Sequence, residues 1–433
     1  MNVSDKVCDL SQIRVVPREI TVFRLLEERD ERLFLYHELK RGSNMKKSER
    51  KSLSVVAVLL AILIVMVGIL TVQVAELKNK GKDFSSVSTE NGNLNIEIYL
   101  PEVYYAASGL TMEIYNSQIT NQGTHISEYD VVWECEVGET LKRKFSVSAT
   151  DEMIGEYPLT ASVYDTAGNL LARKESELHI VEAQQWQFSV LAIGDSLSAD
   201  GDLYNKLQEH LGNQMICNGT RGYEGFLTEA RLGFSAKDYL TETGYYLEEG
   251  EEVHKFWNPD KKSFDWNYYK ATTGFNPEIV LLHLGTNGLL SGEENAENIC
   301  RIVELIRKDD KNIPIYVVNT IYQSDQNGIG SMNLNSGALM FPGQYKQQRD
   351  LAVFNLMSDL AEKLSDEKKV YLVPAGISMD SEYAFYTEER PVNPYSEVTE
   401  FVAIDAVHPA PEGYYQIADA IYSTLCGTYE EWK

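Results

Sequence analysis

The sequence predicts an α/β domain with a parallel sheet, preceded by a small all-β sandwich of immunoglobulin-like type and one transmembrane helix. Three observations lead to this fold class. An uncharged apolar stretch runs from Leu53 to Ala75. Short segments between residues 91 and 183 alternate apolar and polar residues, which is typical of strands. From Trp186 onward, apolar strand-like runs alternate with amphipathic helical stretches.

The apolar stretch near the N-terminus predicts a membrane anchor. At about 1.5 Å per residue, a helix of this length crosses a hydrocarbon core of roughly 30 Å. The basic residues between Lys46 and Lys51 precede it, which favours a cytoplasmic N-terminus. We therefore expect a cytoplasmic segment over residues 1–52, a single-pass anchor over 53–75 and a polar linker over 76–90. The remainder of the chain would then be extracellular.

Two alternatives for this region stay open. A cleaved signal peptide competes with the anchor, because Val72–Ala75 ends in a small residue. The apolar run is longer than a usual signal-peptide core, so the uncleaved anchor is favoured. Met45-Lys46-Lys47 itself resembles the start of an export signal, and the true start at Met45 is the alternative to translation of residues 1–44.

Residues 91–183 predict the sandwich. Alternation is clear in Thr111–Tyr115 and Leu159–Tyr164, and Asp165–Asn169 has the composition of a turn. Leu94–Tyr99 and Phe145–Ser148 follow the same pattern. The favoured role is a spacer. The alternative is carbohydrate binding through aromatic side chains that the pattern leaves exposed, namely Tyr104, Tyr105 and Trp133.

Residues 186–433 predict the α/β domain. Near-continuous apolar strands separated by helices indicate a parallel sheet covered on both faces. In such sheets the functional site forms at the carboxyl ends of the strands. The predicted strands are Ser189–Ile193, Gln214–Asn218, Ile279–Leu284, Ile315–Asn319 and Val370–Val373. The predicted helices are Leu203–Leu211, Ala296–Arg307, Arg349–Leu364 and Gly413–Leu425.

Composition excludes several classes of partner. The 433 residues include 65 acidic and 39 basic side chains, for a formal net charge of -26, which disfavours nucleic acid and anionic membrane surfaces. The five cysteines are scattered, with no Cys-x-x-Cys pair or zinc-like cluster, so we expect neither a structural metal nor a disulfide framework. Nothing in the sequence indicates an oligomeric state.

Two short motifs carry the chemistry. Gly194-Asp195-Ser196-Leu197-Ser198 follows an apolar run, and Asp405-Ala406-Val407-His408-Pro409 precedes the last predicted helix. Together they supply a nucleophile in Ser196, a base in His408 and an acidic residue, Asp405, that orients the base. This combination predicts an esterase.

These motifs resemble the blocks of the SGNH (GDSL) hydrolases over about Phe188 to Tyr429. The resemblance implies a flavodoxin-like three-layer fold, Ser196 as nucleophile, and the Asp405–His408 pair as its activator. It further implies an oxyanion hole formed by the Ser196 amide, Gly233 and Asn287, with Gly222 as the second choice for the glycine. Gly288 stands where the family usually has Asp after the Asn, which removes one supporting hydrogen bond. No metal or cofactor is implied.

An aromatic-rich insertion, Phe256–Pro259 and Phe264–Tyr269, resembles one in carbohydrate-acting members of that family. It favours an extracytoplasmic serine esterase that removes O-acetyl groups from glycans, and a packed loop is the alternative interpretation. Two other functions stay open. One is a lipase or thioesterase of the same fold, and the other is a catalytically weak glycan-binding surface protein.

Overall fold

The computed structural model describes residues 95–223, 225–242, 253–289, 293–324 and 346–432, which belong to one compact unit. The predicted cytoplasmic segment (1–52), anchor (53–75) and linker (76–90) lie outside the described residues. No helix within the described ranges is long and apolar enough to cross a membrane.

The first half of the described chain contains two β-sheets. A four-stranded sheet has the order β1-β7-β6-β3 and a three-stranded sheet has the order β2-β5-β4. The sheets meet where the Trp133 ring packs 5.5 Å from the Phe145 ring. The strands are β1 (Val103–Ala107), β2 (Thr111–Tyr115), β3 (Asp130–Glu134), β4 (Glu139–Thr140), β5 (Lys144–Ser148), β6 (Gly155–Tyr164) and β7 (Leu170–Val181).

Two expectations for this half are wrong. Residues 95–99 form no strand, only an isolated bridge between Ile98 and Thr120. Tyr104 and Trp133 are 1% and 6% exposed, so they are core side chains and not a sugar-binding surface. Alternation identified the strands but not which face of each strand the second sheet would cover.

The second half contains a five-stranded parallel sheet of order β16-β15-β14-β8-β9. Counted along the chain within this sheet, the order is 2-1-3-4-5, as in flavodoxin-like folds. The strands match the predicted ones within one or two residues. They are β8 (Phe188–Gly194), β9 (Met215–Asn218), β14 (Ile279–His283), β15 (Ile315–Val318) and β16 (Val370–Val373).

The helices of this half cover the sheet in two groups. Strand β9 is added on one side of β8, whereas β14, β15 and β16 are added on the other, and right-handed crossovers therefore place the connecting helices on opposite faces. The helices are α1 (Gly201–His210), α2 (Ala236–Tyr239), α3 (Trp266–Thr273), α4 (Glu293–Asp309), α5 (Lys346–Lys363), α6 (Ala375–Ser378) and α7 (Pro411–Trp432). Accordingly α1 packs against α7, and α4 packs against α5.

Three small hairpins project from the sheet connections. They are β10 (Arg221–Tyr223) with β11 (Phe226–Thr228), β12 (Trp257–Asn258) with β13 (Ser263–Phe264), and β17 (Thr387–Pro391) with β18 (Thr399–Ala403). The last hairpin ends just before Asp405.

The two halves share one hydrophobic core. Tyr104 on β1 bonds its hydroxyl to Ser378 Oγ at 2.8 Å, and Gln118 Nε2 donates to the Met379 carbonyl at 2.6 Å. Arg143 Nη2 forms an ion pair with Asp380 at 2.8 Å. Buried apolar packing, reinforced by these bonds, therefore holds the β-rich half against α6, α7 and the segment that leads to β17.

Most of the aromatic insertion is packed into this core, and four of its six aromatic rings cannot form the expected sugar platform. Phe256, Trp266 and Tyr269 are fully buried, and Phe264 is 2% exposed. The Phe256 ring stacks on Tyr269 at 4.3 Å and on Phe264 at 4.8 Å. These four rings pack on one another and are not available to a ligand, whereas Trp257 and Tyr268 of the same insertion are half-buried.

Close packing between the halves generates a stability prediction. Gly427 on α7 lies against the Tyr105 ring, and a Cβ at this position would overlap that ring. Gly427→Ala should lower the free energy of unfolding by about 1–3 kcal/mol, as overpacking does. A glycine-to-alanine change in an unobstructed helix would instead raise it by roughly 0.5–1 kcal/mol.

Chemical denaturation of four proteins tests this: the wild type, Gly427→Ala, Tyr105→Ala and the double variant. In the Tyr105→Ala background the added methyl group should be neutral or stabilising. If Gly427→Ala destabilised both backgrounds equally, the ring would not be the cause.

Candidate active site

Ser196 lies two residues after the end of strand β8, which lies between β9 and β14, and it begins a 3₁₀ helix, Ser196–Ala199. The turn depends on the residues around it. A Cβ on Gly194 would lie 2.7 Å from the His283 carbonyl oxygen of the neighbouring strand β14, so a side chain does not fit there. The Ser196 side chain thereby reaches the carboxyl edge of the sheet, between β8 and β14, where the strand order reverses.

The buried side chain of Asp195 stabilises this turn. Its carboxylate is completely buried and accepts a hydrogen bond from the Leu197 amide at 3.0 Å. Burial raises the pKa of Asp195 to about 7, although the Leu197 and Thr286 amides and the charge of His408 favour the ionised form. Asp195 therefore caps the serine turn through its bond to the Leu197 amide. The sequence motif contained this residue without indicating that role.

His408 and Asp405 complete a chain of hydrogen bonds to Ser196. His408 Nε2 lies 2.9 Å from Ser196 Oγ, and His408 Nδ1 lies 2.9 Å from Asp405 Oδ2. Asp405 Oδ1 accepts from the Val407 and His408 amides at 2.8 and 3.0 Å. A carboxylate only accepts, so Nδ1 carries the proton and Nε2 is left to accept from the serine hydroxyl. The structure thus brings together the three residues predicted as catalytic.

The electrostatics of this pair suit a base. The hydrogen bond to Asp405 raises the pKa of His408 above its ordinary value, against the opposing effect of burial. Burial also raises the pKa of Asp405, but the hydrogen bonds from His408 and from the backbone amides lower it further, and the net shift is downward. The carboxylate therefore stays ionised while the imidazole titrates.

Hydrogen bonds hold the segments that carry the predicted oxyanion residues Gly233 and Asn287. Strand β8 binds the segment before Gly233, because the Arg231 amide donates to the Gly194 carbonyl at 2.9 Å. Asn287 Nδ2 donates to the Phe234 carbonyl at 3.1 Å. An amide group has two N–H donors, so one holds the side chain in place and the other is left for a ligand. The Phe234 carbonyl thus supplies the support that an acidic residue after Asn287 would otherwise give.

The glycines at 222 and 288 have conformational explanations. Gly222 lies in the β10–β11 hairpin with φ of +104°, and a Cβ there would lie 2.5 Å from the Phe226 carbonyl oxygen. The geometry of the hairpin therefore explains why a glycine occupies position 222, the second choice for the oxyanion-hole glycine. Gly288 has φ of +74°, a left-handed conformation that glycine adopts without a steric cost.

The other histidines of this half lie elsewhere. His210 bonds to Asp419 at 2.6 Å, and His254 bonds to the Thr241 carbonyl at 2.9 Å. His283 is buried in β14, and burial lowers its pKa to about 4, so it is neutral. One group of carboxylate and imidazole ligands lies within 4.8 Å in the described part of the chain: Glu156, Glu177 and His179. It includes none of the site residues.

No protein-family model and no curated protein matches this sequence. Among solved structures, the chain is similar to a Streptococcus pneumonia protein described as a platelet activating factor, with 14% identity and a TM-score of 0.32 over 55% of this chain and 83% of that one. It is also similar to a member of the lipolytic protein G-D-S-L family from Veillonella parvula, with 13% identity and a TM-score of 0.30 over 54% and 94%. At TM-scores below 0.5, these similarities carry no argument about function.

The Asp405–His408 bond generates a pH prediction. Only the neutral imidazole accepts a proton, so activity should be lost as the pH falls through the pKa of His408, which lies above its ordinary value of about 6.5. Asp405→Asn removes the stabilising charge and should move this pKa downward. NMR titration of the His408 ring protons measures the shift even in a variant of low activity.

Asp200→Asn is the matched control. Asp200 also raises the pKa of His408, but only weakly, through its charge and without a hydrogen bond, and asparagine keeps its capping role on α1. Its shift should be the smaller of the two. An unchanged His408 pKa in Asp405→Asn would contradict the geometry.

The Asn287 contacts generate a kinetic prediction. Asn287→Ala should lower kcat by roughly 10²–10³ through the loss of one oxyanion donor. KM should change little, because the donor acts on charge present only in the transition state. Asn287→Asp keeps the size of the side chain but removes the donor, so it should lose at least as much. Steady-state kinetics with a small activated acetyl ester decide the matter, and a change confined to KM would make Asn287 a binding residue only.

Proposed function

We propose that this protein is a serine ester hydrolase. The observation that carries the proposal is the continuous hydrogen-bond chain from Ser196 through His408 to Asp405, with both links at 2.9 Å. A hydroxyl at a sheet edge, a base with a free acceptor nitrogen, and a carboxylate that fixes the tautomer are the groups that acyl transfer requires.

The reaction proceeds in two halves. Ser196 Oγ attacks the ester carbonyl while its proton passes to His408 Nε2, and the resulting imidazolium is stabilised by Asp405. The imidazolium then returns the proton to the departing alcohol, which leaves an acyl group on Ser196. A water molecule gives its proton to the same nitrogen, attacks the acyl group and releases the acid. The serine regains its proton from His408.

The negative charge that develops on the carbonyl oxygen needs fixed donors. The Ser196 and Gly233 amides and the second Asn287 N–H form this set in our proposal. Donors held in place before the reaction stabilise the oxyanion without reorganisation. The Phe234 carbonyl and the Arg231–Gly194 bond hold two of these donors.

We further propose O-acetyl groups on an uncharged carbohydrate as the substrate class. Two exposed aromatic side chains flank the segment that follows Ser196, and amphipathic rings of this kind pack well against sugars. Tyr223 is 71% exposed and packs on Phe226, which lies against Gly201 at the start of α1. On the other side, Tyr386 is 48% exposed, and burial with the negative charges of Asp202 and Asp200 raises its pKa.

A lipase or thioesterase of the same chemistry is the second candidate, favoured by the exposed Leu232 beside Gly233. A comparison of acetyl with octanoyl esters of p-nitrophenol separates the two. We also propose that the catalytic half lies outside the cell on an N-terminal anchor, as the sequence from Leu53 to Ala75 predicts.

Ser196→Ala tests the proposal. The full-length variant should hydrolyse p-nitrophenyl acetate at no more than a few thousandths of the wild-type rate, in line with loss of a catalytic-triad nucleophile. Its Tm should be unchanged, because only one hydroxyl is removed. A fluorophosphonate probe should label the wild type once, at Ser196, and should not label the variant.

Ser198→Ala is the matched control. Ser198 lies two residues away and is buried, and its hydroxyl has no hydrogen-bond partner among the described residues. This variant should keep both hydrolysis and labelling. Retention of activity by Ser196→Ala would overturn the proposed function.

A further inference from the structure

We propose that the β17–β18 hairpin and its turn, residues 386–404, form an arm that holds the uncharged polysaccharide chain that carries the ester. This inference rests on the proposed function and deepens it, because it makes the substrate a polymer and not a small ester.

The base of the arm belongs to the catalytic loop. The Ile404 amide donates to the Tyr386 carbonyl at 2.9 Å, and Asp405 follows immediately. Phe385 pairs with Pro409 in an isolated bridge, and the Ala410 amide donates to the Ala384 carbonyl at 2.9 Å. Both legs of the arm therefore enter beside His408. A substrate that lies along the arm leads directly to Ser196.

The arm projects away from the core. Every residue of β17 and the first three of β18 are exposed. Pairing continues beyond the strands, since the Val392 amide donates to the Val398 carbonyl at 3.0 Å. At about 3.4 Å per residue, the arm reaches roughly 20 Å from its base to its tip. A small ester cannot contact both the tip and Ser196, whereas a polymer can.

The tip presents apolar surface in a fixed shape. Tyr395 is 98% exposed and Val398 is 65% exposed. The Tyr395 amide donates to Asn393 Oδ1, and the Val398 amide donates to Ser396 Oγ, both at 3.0 Å. These bonds order the turn before any ligand binds, which reduces the entropy cost of binding. An exposed tyrosine on a turn whose backbone is ordered offers a ring face to a sugar.

Charge selects among possible occupants. The arm carries Glu388, Glu389, Glu397 and Glu400 against one basic residue, Arg390. Anionic lipid and anionic polysaccharide are therefore repelled. Neutral sugar rings combine apolar faces with hydroxyl groups, and these can bond to the carboxylates that flank the apolar tip. The occupant that fits both features is an uncharged polysaccharide.

The experiment compares the wild type with a Tyr395→Ser/Val398→Ser variant of the full-length protein. Acetate release from acetylated xylan and hydrolysis of p-nitrophenyl acetate are measured side by side. The variant should lose about tenfold in kcat/KM on the polymer, which is about 1.4 kcal/mol, and should keep its rate on the small ester. Leu170→Ser, an equally simple change at a 52% exposed site on β7, should alter neither rate.

Binding is measured independently of catalysis. In Ser196→Ala protein, affinity electrophoresis through acetylated xylan should show retardation that the two arm substitutions abolish. This arm-dependent binding would survive even if Ser196 were not the nucleophile, so the two proposals fail separately. Equal losses on both esters, or retardation unaffected by the arm substitutions, would overturn the polymer role.

Two further results would assign the arm to another occupant and so overturn the proposal. One is a wild-type dimer in light scattering that becomes a monomer in the arm variant. The other is arm-dependent binding to phosphatidylcholine vesicles. Unchanged Tm values for both variants show that the fold is intact.

Discussion

The hydrogen bond between His408 and Ser196 joins residues 212 positions apart, and the candidate site exists only if the whole α/β half is folded. Ser196 is placed by the end of β8, which pairs with β9 on one side and with β14 on the other. His408 is placed by a loop that is bonded to neighbouring segments on both sides. Local sequence alone holds neither group within reach of the other. Every segment between these two residues therefore affects the 2.9 Å distance between His408 Nε2 and Ser196 Oγ.

Buried polar groups hold this edge of the sheet together. Asp195 accepts from the Leu197 amide within the serine turn at 3.0 Å, and the Tyr239 hydroxyl donates to the Gly194 carbonyl at 2.8 Å. These groups cost solvation free energy on burial, and these hydrogen bonds offset part of it. These bonds hold the turn that carries the reactive hydroxyl, while His408 and Asn287 are held by their own bonds to Asp405 and the Phe234 carbonyl. The site is therefore built on rigid elements, which hold its side chains in place.

The sequence predicted the parallel sheet and the three hydrogen-bonded residues well, because both have direct local signals. Continuous apolar runs mark strands buried on two faces, and Gly-Asp-Ser and Asp-x-x-His are short motifs. Support for Asn287 could not be predicted, since it comes from the backbone carbonyl of Phe234. Nor could the burial of Tyr104 and Trp266, because partners distant in the sequence decide which aromatic rings are covered. The β17–β18 hairpin could not be predicted, because β17 is mostly polar and neither strand shows a clear alternation of apolar and polar residues.

The shared core of the two halves has a consequence for how the molecule loses its structure. Tyr104, Gln118 and Arg143 direct their polar groups to partners in the other half, so separation would leave buried groups without bonds. Partial unfolding of the β-rich half would expose α7, and α7 begins directly after the loop that carries His408. We therefore infer that melting is a single cooperative event, and that heat inactivation and loss of β-structure share one midpoint. The β-rich half is in this sense part of the catalytic scaffold and not a detachable unit.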